Sequence, residues 1–134
     1  MDARQHMSKD AVILFAHGSR DPEWAVPFEK IKAIVQGQRP HIAVELAFLE
    51  IMQPTLLALV DRLHEQGITH VTIAPLFLAP GAHVSRDLPQ LVQQARKMYP
   101  SMTLRFLPSL GEASEMLEAM GSWVAGRVRS KERA

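Results

Sequence analysis

A chain of 134 residues with 47% hydrophobic content is long enough for one core of its own and too short for two ordinary domains. Its 15 Lys and Arg stand against 14 Asp and Glu, a near balance that makes no general field for nucleic acid or an acidic membrane surface, so neither is expected as a partner. The absence of cysteine excludes a disulfide framework, a thiolate metal site and a cysteine nucleophile together.

No stretch approaches the roughly 20 consecutive apolar residues of a membrane span, and Met1 to Asp10 is polar rather than a signal core. A cytoplasmic protein is the expectation. Residues 1–10 read as a flexible tail, 11–126 as one α/β domain, and 127–134 as a charged, fraying tail.

Four apolar, β-branched runs recur at intervals of about thirty residues: Ala11 to Ala16, Ile42 to Leu49, His70 to Leu78, and Met102 to Leu107. Each reads as a strand buried on both faces. After the first comes the helix-starting sequence Ser19-Arg20-Asp21-Pro22 and a stripe of Trp24, Phe28, Ile31 and Val35. The second helix follows Pro54, with Leu56, Val60 and Leu63 on its apolar face and Gly67 closing it. Ser85-Arg86-Asp87-Leu88-Pro89 opens the third, which carries Leu88, Leu91, Ala95 and Met98 and stops before Pro100. Met116, Met120 and Trp123 mark a fourth after Gly111, where methionine at helical spacing reads as core packing rather than a soft-metal site.

Strand alternating with helix four times over, joined by right-handed crossovers, gives a doubly wound α/β fold: a four-stranded parallel sheet with helices on both faces. By analogy with flavodoxin-like sheets the expected strand order is 2-1-3-4. The first and third strands are then neighbours whose following loops diverge, and a ligand crevice opens at their carboxyl ends.

Three consecutive strands end in residues suited to that crevice. The first runs into His17-Gly18-Ser19-Arg20, an imidazole followed by a glycine that leaves room for a ligand near the backbone. The second ends in Phe48-Leu49-Glu50, and the third leads through Pro75-Leu76-Phe77-Leu78-Ala79-Pro80-Gly81-Ala82 to His83 in the loop beyond it. One histidine at a strand end is more often a cap than a ligand, but two histidines and a glutamate on one rim suit a borderline divalent ion, with His17 and His83 as metal ligands. Arg20 and Arg86 put two fixed positive charges near the crevice, able to grip carboxylates in two-pronged fashion. His6, His41, His64 and His70 fall in the tail, a strand-entry loop, a polar helix side and a strand start, where a solvated surface role is expected.

The set His17-Gly18-Ser19-Arg20-Asp21-Pro22, Phe48-Leu49-Glu50, Pro75-Leu76-Phe77-Leu78, Gly81-Ala82-His83-Val84 and Asp87-Leu88-Pro89 resembles the short CbiX-type sirohydrochlorin chelatases, among the class II tetrapyrrole chelatases. The resemblance runs from about Ala11 to Gly111 and lies in the whole arrangement of motifs. It implies a metal-inserting lyase that places a divalent ion into sirohydrochlorin, in cobalamin or sirohaem synthesis. The metal is a substrate, cobalt favoured over iron or nickel, and no organic cofactor is involved. It further implies that His17 and His83 bind the metal and act in metallation, and that Glu50 assists. Ser19, Arg20, Ser85 and Arg86 are candidates to contact the substrate's peripheral carboxylates. Longer members of the class resemble two such domains facing each other, so a homodimer is expected to complete the cleft.

Two other functions fit parts of the pattern. A protein that binds and delivers cobalt or nickel without chemistry uses the same histidines. A histidine phosphatase also has His-Gly after its first strand, but with arginine ahead of the histidine, where Ala16 stands here. A nucleotide-binding domain is disfavoured because the first turn lacks the glycine-rich phosphate fingerprint.

Overall fold

The computed structural model describes residues 8–130, and at His83 the main chain only. Its sheet has four parallel strands, β1 (Asp10–Ala16), β2 (Ala43–Phe48), β3 (His70–Pro75) and β4 (Thr103–Phe106), in the order β2-β1-β3-β4. This is the doubly wound arrangement expected from the sequence. The register sets Ala16 beside Phe48 and Phe15 beside Pro75, so the first three strands finish at one level and release their loops together.

Strand β1 is buried on both sides past its first residues because helices cover both; β4, expected to be buried on both faces, buries only one, since Thr103 and Arg105 on the other are exposed. Helix α1 (Val26–Gln38) lies on one face, where Trp24, Phe28, Ile31 and Val35 pack on Leu14, Val44, Leu46 and Phe48. Helices α2 (Leu56–Glu65) and α3 (Ala82–Met98) share the other, burying Leu59, Val60, Leu63, Val84, Leu88 and Ala95 against Ile13, Phe15, Val71 and Ile73. Burial of side chains as large as Phe15, Leu59 and Leu63 contributes about 1.5–3 kcal/mol each. Thr55 caps α2 through its side chain, which accepts from the Ala58 N–H at 3.2 Å. At the far end Gly67 takes φ +85, the left-handed geometry that suits a helix exit.

Several boundaries differ from those read in the sequence. Ser8 and Lys9 are held by main-chain hydrogen bonds to His41, Thr69 and His70, and β1 already begins at Asp10. The remainder of the expected N-terminal tail, residues 1–7, and the last four residues of the C-terminal one lie outside the described residues. Trp24 belongs to a separate 3-10 turn, Pro22–Ala25, ahead of α1. Strand β3 stops at Pro75, and Leu78 is exposed.

Helix α3 starts at Ala82 rather than at Ser85, with an extended Gly81 at its cap, so His83 stands in its first turn and not in a loop. Pro89 is interior to this helix. Its missing N–H leaves only the carbonyl of exposed Ser85 to water, which the helix tolerates.

Helix α4 (Ser114–Ala125) departs furthest from expectation, since none of its residues is buried. Met116 and Trp123 are therefore not core. The helix is rooted in a 3-10 turn, Leu110–Glu112, which is fixed by Gly111: its N–H donates to the Phe77 carbonyl at 3.1 Å, and a Cβ at this position would fall 1.6 Å from the Leu78 carbonyl oxygen. Among the described residues no helix is long and apolar enough to cross a membrane.

Candidate functional site

The level strand ends bring His17 and Glu50 together. Main-chain bonds continue the β1–β2 ladder one step past each strand, from Leu49 N–H to the Ala16 carbonyl and from Glu50 N–H to the His17 carbonyl, at 2.9 and 3.1 Å. The side chains follow the backbone: His17 Nε2 lies 3.0 Å from Glu50 Oε1, with both groups about half exposed. A neutral imidazole that donates from Nε2 to the carboxylate keeps its Nδ1 lone pair for a metal ion.

The close approach depends on Gly18. It adopts φ +103, and an added Cβ would sit 1.9 Å from the Glu50 carbonyl oxygen. The sequence had suggested that this glycine leaves space for a ligand; the space is filled instead by the neighbouring loop. That same carbonyl accepts from the Met52 N–H at 2.7 Å across Ile51, whose φ is +71. This is a γ-turn with a left-handed centre, a strained form that a β-branched residue rarely adopts. It turns Ile51 outward, 57% exposed, next to Glu50. The following Gln53–Pro54 peptide is cis.

Beside His17 is an open basin of about 460 Å³, lined by Leu76, Phe77, Leu78, Ala79, Pro80, Gly81 and Val84. Among the described residues its lining side chains are apolar apart from His17. His83 belongs to the first turn of α3, between the basin residues Gly81 and Val84 in the chain. Past Pro80 and Val84, between α3 and the end of β4, runs a second groove of about 530 Å³, whose lining includes Ser85, Arg96, Ser109 and Glu112.

The remaining candidates are more dispersed. The Ser19 hydroxyl oxygen accepts from the Asp21 N–H at 3.1 Å, and Asp21 in turn caps the 3-10 turn through the Glu23 N–H, so both serve the local chain reversal. Arg20 is exposed. The Arg86 Nε stands 3.6 Å from an Asp87 carboxylate oxygen. Ser85 faces the second groove, and none of Ser19, Arg20, Ser85 and Arg86 lines the basin at His17. His41, His64 and His70 are exposed, away from these strand ends, while His6 lies outside the described residues. Among the described residues no group of three or more His, Asp and Glu side chains gathers for a metal. Sequence reasoning missed Ile51 and Leu78, the exposed apolar residues beside the pair and in the basin. Ile51 carried one signal, an apolar side chain in a loop between Glu50 and Pro54.

Known proteins share this architecture. The structure of the cobalamin (vitamin B12) biosynthesis CbiX protein from Marinobacter aquaeolei superposes with a TM-score of 0.76 at 29% identity, covering 93% of this chain and 99% of that one. The sirohydrochlorin chelatase SirB from Bacillus subtilis subspecies spizizenii, solved with cobalt, gives 0.66 at 27% identity over 90% of this chain and 51% of its own. In sequence, the sirohydrochlorin ferrochelatase of Bacillus subtilis is 30% identical over 84% of this chain and 43% of that protein. The sirohydrochlorin cobaltochelatase of Methanopyrus kandleri is 37% identical over 61% and 57% respectively. The chain thus spans about half the length of these curated relatives. The CbiX family model matches residues 11–126, and with these strands, this order and this match the chain belongs to the CbiX family.

Proposed function

We propose that this protein is a cytoplasmic chelatase that inserts a divalent metal ion into sirohydrochlorin. The observation that carries the reading is the 3.0 Å contact between His17 Nε2 and Glu50 Oε1 at the rim of an apolar basin. Insertion releases two pyrrole protons for each ion that enters the ring, so the site needs a ligand that yields the metal and groups that accept protons. An imidazole is suited to both tasks near neutral pH. His17, held by Glu50, and His83 present the ion to one face of the macrocycle, and Glu50 assists removal of the pyrrole protons. Ile51 and Leu78 offer apolar contact to the ring. Arg20, Arg86, Ser19 and Ser85 are proposed to meet the substrate's peripheral carboxylates.

Cobalt is the first choice of metal, supported by the Methanopyrus kandleri cobaltochelatase at 37% identity over 61% of this chain, and iron is supported by the Bacillus subtilis ferrochelatase at 30% over 84%. Iron and nickel are the competitors. A homodimer is part of the proposal: relatives about twice as long support a second copy forming the opposite wall of the cleft.

The test is the absorption spectrum of sirohydrochlorin mixed with the protein and cobalt, iron or nickel in parallel. Chelation changes the spectrum at a rate proportional to protein, whereas a protein that only stores or delivers metal leaves it at the background rate. Insertion at background rate with all three ions would overturn the proposal.

A further inference from the structure

Helix α3 has two flanks of different character. Ser85, Pro89, Gln93 and Arg96 fall on one and line the groove between this helix and the end of β4. Val84, Leu88, Val92 and Ala95 form the buried stripe beside it. Asp87 falls on the opposite flank, which by the order β2-β1-β3-β4 is turned toward β1, the strand that ends at His17. His83 stands one turn earlier in the same row, at the i, i+4 spacing that brings two positions of a helix together. The Asp87 side chain is 33% exposed against 68% for Arg86, whose Nε is 3.6 Å from the carboxylate, so the guanidinium lies on its solvent side.

An imidazole that binds a metal through one nitrogen carries an N–H on the other, and an acceptor fixes that N–H in nearly all such sites. For His17 the acceptor is Glu50, at 3.0 Å. The turn around His83 offers few. Pro80, Gly81, Ala82 and Val84 have no polar side chain, Arg86 only donates, and Ser85 belongs to the groove flank. Asp87 is the side-chain acceptor of this turn that shares the row of His83. A carboxylate takes several hydrogen bonds at once, so accepting from an imidazole is compatible with its ion pair to Arg86.

We infer that Asp87 is a positioning residue for His83, accepting its ring N–H and so fixing the tautomer presented to the metal, as Glu50 does for His17. The inference rests on the reading of His83 as a metal ligand. Each histidine then has its own carboxylate one step behind it. Such a carboxylate makes the imidazole a stronger donor without occupying a coordination position. The ion is held by few ligands and stays transferable to the macrocycle.

The test is a double-mutant cycle on Co2+ affinity, measured on the full chain without tetrapyrrole by competition with a chromogenic chelator. Asp87→Ala is expected to weaken Co2+ binding about 10–100-fold. Asp87→Asn, which keeps an acceptor oxygen, should lose less, and both should keep the circular dichroism spectrum unchanged. In a His83→Ala background Asp87→Ala should change the affinity by less than about twofold, whereas in a Glu50→Ala background it should keep its full effect. Unchanged affinity in Asp87→Ala would overturn the positioning role and leave the chelatase reading intact. An equal loss with and without His83 would overturn it too, making Asp87 a ligand or a structural residue in its own right. If His83→Ala alone bound Co2+ as tightly as the unmodified chain, the ligand assignment of the chelatase reading would fall, and this inference with it.

Discussion

His17 and Glu50 meet because β1 and β2 end level with each other, their side chains 3.0 Å apart on adjacent strands of a parallel sheet. With both side chains about half exposed, neither contributes to the core. His17→Ala and Glu50→Ala should therefore fold normally by circular dichroism. His17→Ala is expected to reduce sirohydrochlorin metallation to background. Glu50→Gln, which keeps an acceptor but loses the charge, should lower kcat by about 10–100-fold. Near-normal turnover by Glu50→Ala would remove the carboxylate from the mechanism.

Gly18 and Gly67 both have positive φ, yet their substitution should differ in cost. Gly67→Ala meets nothing within 4 Å and loses about 1 kcal/mol to backbone strain alone. Gly18→Ala adds an overlap with the Glu50 carbonyl and should lose about 2–4 kcal/mol, with impaired turnover as the Glu50 loop shifts. Denaturant titrations of the two variants side by side provide the measurement, and equal losses would contradict the packing at Gly18.

Strain at Ile51 leads to an opposite pairing of effects. Ile51→Gly relieves a left-handed, β-branched residue and should raise stability by about 1 kcal/mol in thermal unfolding. If the exposed side chain contacts the macrocycle, the same variant should have a several-fold higher KM for sirohydrochlorin with kcat little changed. A variant that gains stability without any change in KM would make Ile51 irrelevant to substrate.

Tyr99 is the only tyrosine in the chain, so its ionisation can be followed directly by absorbance near 295 nm. Its hydroxyl donates to the Asp61 carboxylate at 2.5 Å, and this hydrogen bond, aided by burial and by the negative charges of Asp61 and Glu65, raises its pKa above the usual value of about 10. The folded pKa exceeds the unfolded one. The bond's contribution is thus complete below about pH 10 and is lost as pH rises through the folded value. Asp61→Asn should move the titration midpoint down toward that of free tyrosine; an unchanged midpoint would mean the bond is absent in solution.

Much of the fold was legible because parallel strands buried on both faces must be continuous apolar runs, as in Ile13-Leu14-Phe15-Ala16. Strand order came from the analogy with flavodoxin-like sheets, and with it the expectation that His17 and Glu50 share one rim. Less could be read where local signals competed. Pro89 looked like a helix-starting proline, whereas α3 tolerates it on an exposed side and starts at Ala82. Met116 and Trp123 have the spacing of a core stripe, but periodicity states only that a helix has an apolar side and not which surface it meets. Gly18 could be recognised as a special position, though not what approaches it, because the Glu50 carbonyl comes from a different strand end.

The hydrogen bond and tight contact at Gly111 tie the root of α4 to the same Phe77-Leu78 segment that lines the basin beside His17. The contact is direct, backbone against backbone, with no side chain between the helix root and that wall. Mechanically, the root of the last helix and one wall of the candidate site form a single packed unit, so a side chain added at Gly111 would disturb both.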